Sequence, residues 1–379
     1  MMKYFPIYTL LWILAFHTSC GQEQTNVPQD TIKTNNAGYS ESQLKEADTS
    51  RVPMSIVRNV KQARNGDILI ASYSDVFRYD GKSFTNLTNS KIGSHTFWDV
   101  LEDRKGNLWI ASKDSGVYHL PAGETSFQHF TTKDGLASNM VLHIYEDKTG
   151  NIWFGPSRYD PSAPLRTGGK SFKNFTTEDG FPTNNIRLLF EDKTGKLWFG
   201  PHLENMFVYD PRLNGDIDSY RDGQGRGFTV LKNKDGKAFN NVWSIIEDKK
   251  GNIWFADVYG LWRYDPSASL RAGDSTFTHV SERGAYSIIQ DKKGNIWTTG
   301  EVKLYSNVWV LSRYDAETLY DKNPTVTEIF SGPPALFGLL EAKDGSIWFG
   351  ADGVYRYEVG PDGKGYTITD FKADSLNQF

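Results

Sequence analysis

From about residue 54 onward the apolar residues come in short bursts, each cut off by Gly, Asp, Asn or Pro. The stretch 240–265, NNVWSIIEDKKGNIWFADVYGLWRYD, is representative. β-branched and aromatic residues fill the runs VWSII, NIWFA and LWRY, and a fourth run, STFTHV, follows at 275–280. Runs of this composition, separated by turn formers, predict strands. No segment sustains a helical period. The unit therefore reads as four short antiparallel strands, the first ending at an acidic turn.

That unit recurs. Its turn glycine returns as Gly66, Gly106, Gly150, Gly195, Gly251, Gly294 and Gly345, at intervals of 40 to 56 residues. Six of the seven are followed three residues later by Trp (109, 153, 198, 254, 297 and 348), and the first by Leu69. Asp stands three residues before the glycine at 103, 147, 192, 248 and 291. An Asp there can bond its own backbone and start a turn, and Gly accepts the positive φ that closes a hairpin. The Trp then falls in strand two, where packing against a neighbouring sheet buries ~200 Å², or about 5 kcal/mol gross at ~25 cal/mol/Å². A Ca²⁺ site is the alternative use of the Asp. One consistent carboxylate per repeat falls well short of the roughly six to eight oxygens that ion takes.

Seven four-stranded units of this period predict an all-β seven-bladed β-propeller with four antiparallel strands per blade. An open stack would leave exposed edges that ring closure removes. Blades are expected to start near 54, 95, 139, 184, 240, 285 and 336, the last ending near 372. The first and last units both look complete, so no strand exchange is expected to seal the ring.

Composition narrows the function classes. The 379 residues carry a net charge of −4 and no clustered basic face, so nucleic acid is not an expected partner. The single cysteine, Cys20, follows MMKYFPIYTLLWILAFHTS, whose apolar run is too short to span a bilayer and suits a secretory signal. A lone cysteine behind such a run resembles the lipobox of bacterial lipoproteins. Ser19 and Thr18 fit that pattern, and His17 departs from it. We therefore expect a signal peptide at 1–19, lipidation at Cys20, a flexible tether at 20–50 and a propeller over 51–379. The tether has almost no aliphatic bulk with which to offset its ordering entropy. The expected location is the cell envelope, as an outer-membrane lipoprotein held by its lipid. With Cys20 acylated, the folded part has no thiol for disulfides or metal ligation.

The consensus N-x-[VI]-x-x-[IL]-x-E-D-x-x-G-x-[IL]-W-[FI]-G stands here as NMVLHIYEDKTGNIWFG, NNIRLLFEDKTGKLWFG and NNVWSIIEDKKGNIWFA. It resembles the two-component regulator propeller repeat over roughly 54–372, and the preceding TTKDGLASN and TTEDGFPTN fit that family too. The best-known setting of the repeat is the periplasmic sensor of Bacteroidetes-type hybrid histidine kinases that respond to glycan fragments. The resemblance implies a propeller with a binding role, and an oligosaccharide or envelope protein as partner. The chain is also similar to the streptogramin lyase propeller, but that family's catalytic histidine and metal-binding acid find no matching positions here.

Searching for chemistry returns little. The seven histidines are scattered without metal-ligand spacing, and no cofactor motif or G-x-S-x-G elbow occurs. GKSF at 81 and GGKSF at 168 lack the upstream glycine of a P-loop and sit where strand four begins. No catalytic residue, metal or cofactor is assigned. Binding in a ring of blades falls where inner strands and entering loops converge. Eight residues before each turn glycine stand Arg58, Trp98, Leu142, Arg187, Trp243, Tyr286 and Phe337. The next position is mostly small or polar, and the one after it (Val60, Val100, Ile144, Leu189, Ile245, Ile288, Leu339) is uniformly apolar and reads as core. Two readings of the first set stay open: its rings and arginines fill space between blades, or they meet a ligand. The candidate ligand-binding residues are Arg58, Trp98, Arg187, Trp243, Tyr286 and Phe337, with His95, Asn184 and Asn240 at the loop-to-strand junctions. Three functions are carried forward: a glycan-binding module, a propeller lyase or hydrolase, and a protein-binding structural subunit.

If Cys20 is the acylated residue, Cys20→Ser abolishes lipid labelling and moves the protein from the membrane to the soluble fraction. A variant that stays membrane-bound and is processed like the wild type contradicts the assignment.

Overall fold

The computed structural model describes residues 52–376, apart from 89–91, 94, 160–171, 215–216, 218–226, 258, 268–276, 304 and 333–334. The expected leader, Cys20 and the tether lie outside the described residues. So do DPSAPLRTGG at 160–169 and most of the loop 210–227.

Seven four-stranded antiparallel sheets follow one another along the chain, each with its strands in sequence order. They occupy residues 57–86, 97–130, 144–174, 186–230, 244–281, 287–332 and 337–370, numbered here as blades one to seven. Residues in or just before the first strand of every blade line one axial cavity, so these strands are innermost. This is the seven-bladed propeller expected from the repeats, with blade limits within a few residues of those read from the glycines.

The turn chemistry is uniform. Each repeat glycine has φ between +87° and +104°, and its N–H bonds the carbonyl three residues back, at 2.9–3.0 Å. In blade two, Asp103 Oδ1 accepts the N–H groups of Lys105 and Asn107. Its other oxygen accepts the indole N–H of Trp109 at 2.9 Å. The same bond joins Trp153 to Asp147, Trp198 to Asp192, Trp254 to Asp248 and Trp297 to Asp291, at 2.8–2.9 Å. Blade seven has Ala342 in place of the Asp, and Ser346 Oγ accepts from Trp348 instead, at 3.0 Å. The turn aspartate thus also satisfies the one polar atom of a buried indole. Burial pushes the Asp147 carboxyl up, but bonds from Thr149, Trp153 and Asn151 outweigh it and hold it below the usual range.

The Glu before each Asp does different work. The residue after the Asp, or after the Ala that replaces it in blades one and seven, donates its backbone N–H to the Glu or Gln of the next blade: Arg64 to Glu102, Arg104 to Glu146, Lys148 to Glu191 and Lys193 to Glu247. The circuit continues from Lys249 to Gln290 and Lys292 to Glu341, and closes from Lys343 to Gln62. All seven bonds measure 2.7–3.0 Å. The long side chains of the same residues bond turn carbonyls of the next blade, as Lys148 does to Asp192 and Lys343 to Arg64.

Among the described residues no strand is exchanged across the junction of blades seven and one, as expected; Ile56, just before blade one, makes isolated bridges to Asp352 and Gly353 of blade seven. Gly338 and Gly350 allow the close approach there: a Cβ on Gly350 would meet Val57 O at 2.4 Å, and one on Gly338 would meet Asn59 Cα at 3.0 Å. Phe371, opening a short helix at Phe371–Leu376, stacks on Trp348 at 5.2 Å and meets the rings of Tyr79 and Phe84 in blade one. The apolar third position of every first strand is buried, as its pattern predicted.

Trp198→Ala is expected to cost about 3–5 kcal/mol, as a large-to-small core change that also strands the buried Asp192 oxygen. Equilibrium urea unfolding measures it, and unchanged stability contradicts the role given to the indole.

Candidate functional site

In each blade the second strand returns antiparallel to the first, pairing Val57 with Ser72, Phe97 with Ser112, Ile186 with Pro201 and Phe337 with Gly350. One face of the ring therefore gathers the loops that enter each blade and the hairpins between strands two and three. This face is the mouth. The acidic turns lie on the other face.

Just inside the mouth, Arg58, Trp98, Leu142, Arg187, Trp243, Tyr286 and Phe337 line a single axial cavity of about 470 Å³. Residues eight before a glycine in seven separate repeats thus come together because strand one of every blade has the same register. The Arg58 guanidinium lies 4.4 Å from the ring centres of both Trp98 and Phe337, and Lys113 reaches to 5.8 Å from Trp98. Arg187 sits 3.7 Å over Trp243. Trp243 contacts Tyr286 at 4.7 Å, and Tyr286 contacts Phe337 at 5.3 Å. The result is a nearly continuous belt running Trp98, Arg58, Phe337, Tyr286, Trp243, Arg187. Contacts of this kind favour a desolvated cation over an aromatic face, and aromatic rings with a few placed donors suit a small-ligand cavity of this size.

Arg187 is only 5% exposed. Its Nη2 donates to Asn241 Oδ1 at 3.0 Å and Val242 O at 2.8 Å, while Nε and Nη1 have no partner. Burial pulls its guanidinium down to about 10, which leaves it charged at neutral pH. Burial also lowers that of Arg58.

Deeper on the axis, Asp99 is fully buried and bonded by Lys61 at 2.9 Å, by Asn59 Nδ2 at 2.8 Å and by the N–H of Ile144 at 2.8 Å. This ion pair ties blades one, two and three together at the hub. Its carboxylate is fully engaged, as a buried charge must be. His143 lines the same channel. Desolvation holds its pKa down to about 4, against the attraction of Asp99 and with help from Lys61.

The junction residues sit differently. His95 lies 3.9 Å from Asp114 and against Tyr118, outside the cavity lining. Asn184 accepts from Thr177 N and donates to Thr177 Oγ1, which fastens the turn before blade four. Asn240 pairs with Asn205 as a lone bridge. None of the three lines the cavity that the other six candidates share.

Several mouth residues escaped the sequence reading. Trp309 packs on Tyr286 at 4.8 Å and on Phe337 at 5.6 Å. His202, on the hairpin of blade four, feels the charges of Arg187 and Lys113. Leu203, Asn241, Tyr305, Asn307 and Ala335 are the non-glycine residues with positive φ among the described residues, and all five lie on the mouth rim. Such conformations cost of order 1–3 kcal/mol each. Asn241 uses its own to present Oδ1 to Arg187. The one available signal was length, since strands two and three are joined by five residues in blade four and seven in blade six but two in blade three.

The chain carries two-component regulator propeller repeats, matched at residues 91–114, 135–158, 180–202 and 236–259. Its fold is similar to that of streptogramin B lyase, with 12% identity, 81% of this chain and 94% of that one covered, and a TM-score of 0.54. It is also similar to PorZ, an essential bacterial surface component of the type-IX secretion system of Porphyromonas gingivalis, at 13% identity and a TM-score of 0.55, covering 79% of this chain and 46% of that one. The WD40 β-propeller domain of Doa1 matches at 13% identity and a TM-score of 0.52, covering 83% and 97%. These likenesses show the propeller fold. No curated protein matches the chain. Among the described residues, no group of three or more His, Cys, Asp or Glu is arranged to hold a metal ion.

The state of His143 has a measurable consequence. Its folded pKa, about 4, lies below the ordinary value of 6.5, so between those values the unfolded chain takes up a proton that the folded one does not. Stability therefore rises with pH across that window and falls as pH drops through it. His143→Asn should flatten this part of the stability profile, measured by urea unfolding from pH 4 to 7. An unchanged slope contradicts a neutral His143.

Proposed function

We propose that this chain is a binding module of the cell envelope, outside the cytoplasm and tethered through lipid on Cys20, whose mouth holds a saccharide-like ligand. One observation carries the reading: aromatic faces and arginine donors from separate blades converge on a single cavity at the mouth. Sugar rings present apolar C–H faces that stack on indole and phenol, and hydroxyls that take N–H donors. The rim supports the same reading, because it is where the strained backbone positions gather.

A second reading, a structural subunit that recognises protein, is favoured by exposed side chains on the mouth-side hairpins: Tyr73, Leu203, Tyr259 and Tyr305, the last 85% exposed. The lyase or hydrolase alternative has only the shared fold behind it. A thermal-shift screen against envelope oligosaccharides, with mass spectrometry of the products, separates the three. A stabilising saccharide recovered intact supports a binder, and a consumed one an enzyme. Stabilisation by no saccharide favours the protein-recognition reading.

Trp243→Ala is expected to weaken binding of a saccharide found in this way by about tenfold or more, some 1.4 kcal/mol, while lowering stability less than Trp198→Ala does. Trp243 is half-buried and its indole bonds no turn aspartate. Calorimetric titration checks the first expectation, and equal affinity removes the site.

A further inference from the structure

The two arginines of the mouth are unusual in what they lack. Among the described residues, neither Arg58 nor Arg187 has a carboxylate within 4.0 Å. Two carboxylates on the same rim are engaged elsewhere. Glu301 accepts the N–H groups of Tyr305 and Asn307, and Glu204 takes Thr183 and Asn185. Arg187 is nonetheless buried to 95% and keeps two unpartnered nitrogens. Lys113 adds a third cation beside Trp98.

A buried cation without a counter-ion is destabilising, and cation–π contact with one indole only partly compensates. On the same axis Lys61 pairs with Asp99 at 2.9 Å, an arrangement from which Arg187 departs. The exception sits in a cavity with room for a ligand. It also stands out against the chain as a whole, whose net charge is −4. A local positive potential in a low-dielectric funnel concentrates anions there.

We infer that the mouth takes an acidic saccharide, its anionic group bonded by Arg187 and Arg58 and a neighbouring sugar ring stacked on Trp243 and Tyr286. The inference rests on the saccharide reading above and adds the charge of the ligand. The anionic group supplies the missing counter-ion, and charge-assisted bonds are the stronger kind. The shared chemistry is a compact oxyanion, which a uronic acid, a sulfated sugar or a sugar phosphate can each provide.

The test is calorimetric titration of the full-length protein with three acidic probes: oligogalacturonate, a sulfated oligosaccharide and a phosphorylated one. Each is compared with its neutral counterpart, carboxyl-reduced, desulfated or dephosphorylated. At least one acidic probe is expected to bind about tenfold or more tighter than its neutral partner, and to weaken as salt is raised. Arg187→Gln should erase that preference, weakening the acidic probe about tenfold or more beyond any loss it causes for the neutral one. Arg58→Gln, at a less buried position, gives the same readout if the first variant folds poorly. Equal binding of acidic and neutral forms, both weakened by Trp243→Ala, overturns the inference while leaving a saccharide site at the mouth. Acidic binding that survives both arginine substitutions places the anion elsewhere and also overturns it. No binding by any of the six probes overturns the inference and removes its support from the saccharide reading.

Discussion

A buried indole carries one polar atom, and this propeller is organised around satisfying it. Each Trp in strand two needs an acceptor that arrives with it into the core. A turn aspartate six residues earlier reaches it in five blades, and Ser346 takes that part in blade seven. The same carboxylate fixes the hairpin through its other oxygen, so the turn, the inner strand and the inter-blade core are specified together. Register follows from this: once the turn is fixed, the residue eight positions before its glycine must project at the mouth of the axis. The shared cavity is thus a consequence of the core.

The fold was legible because its signal is repeated. Seven copies of one turn and six of one Trp outvote any local irregularity, and the apolar third position of strand one could be read as core directly. What the Glu of each Glu-Asp pair does was not legible. An acidic residue bound to the next blade's neighbour and one facing solvent have the same sequence signature, and only the curvature of the ring brings it under the preceding turn. The hub ion pair of Lys61 and Asp99 escaped for a similar reason, being formed by two residues 38 apart that occur in one repeat each.

The site was legible in part, along the same divide. Its floor is built from periodic positions, and six of the nine residues singled out share the cavity. Its rim is built from hairpins that differ from blade to blade. His95, Asn184 and Asn240 were placed by their nearness to a strand start, but junction residues answer to the local turn, as the bonds of Asn184 to Thr177 show. Asn241 and Trp309 lie off the repeat pattern, so nothing periodic pointed to them. A rigid ring with a variable rim is also a sound way to bind: the scaffold supplies preorganised geometry, and the loops supply identity.

The seam between blades seven and one carries a kinetic consequence. Each other junction joins units adjacent in the chain, but the bond from Lys343 to Gln62 spans 281 residues. Closing that distance must wait until nearly the whole chain is ordered, because long-range closure pays its entropy before contacts reward it. Until then an incomplete arc presents Trp348 at one end and Tyr79 with Phe84 at the other, surfaces that meet only in the finished ring. Apolar faces left open in this way during folding are what make partly folded chains prone to aggregate. The placement of Phe371 over all three rings shields them once the circle is complete.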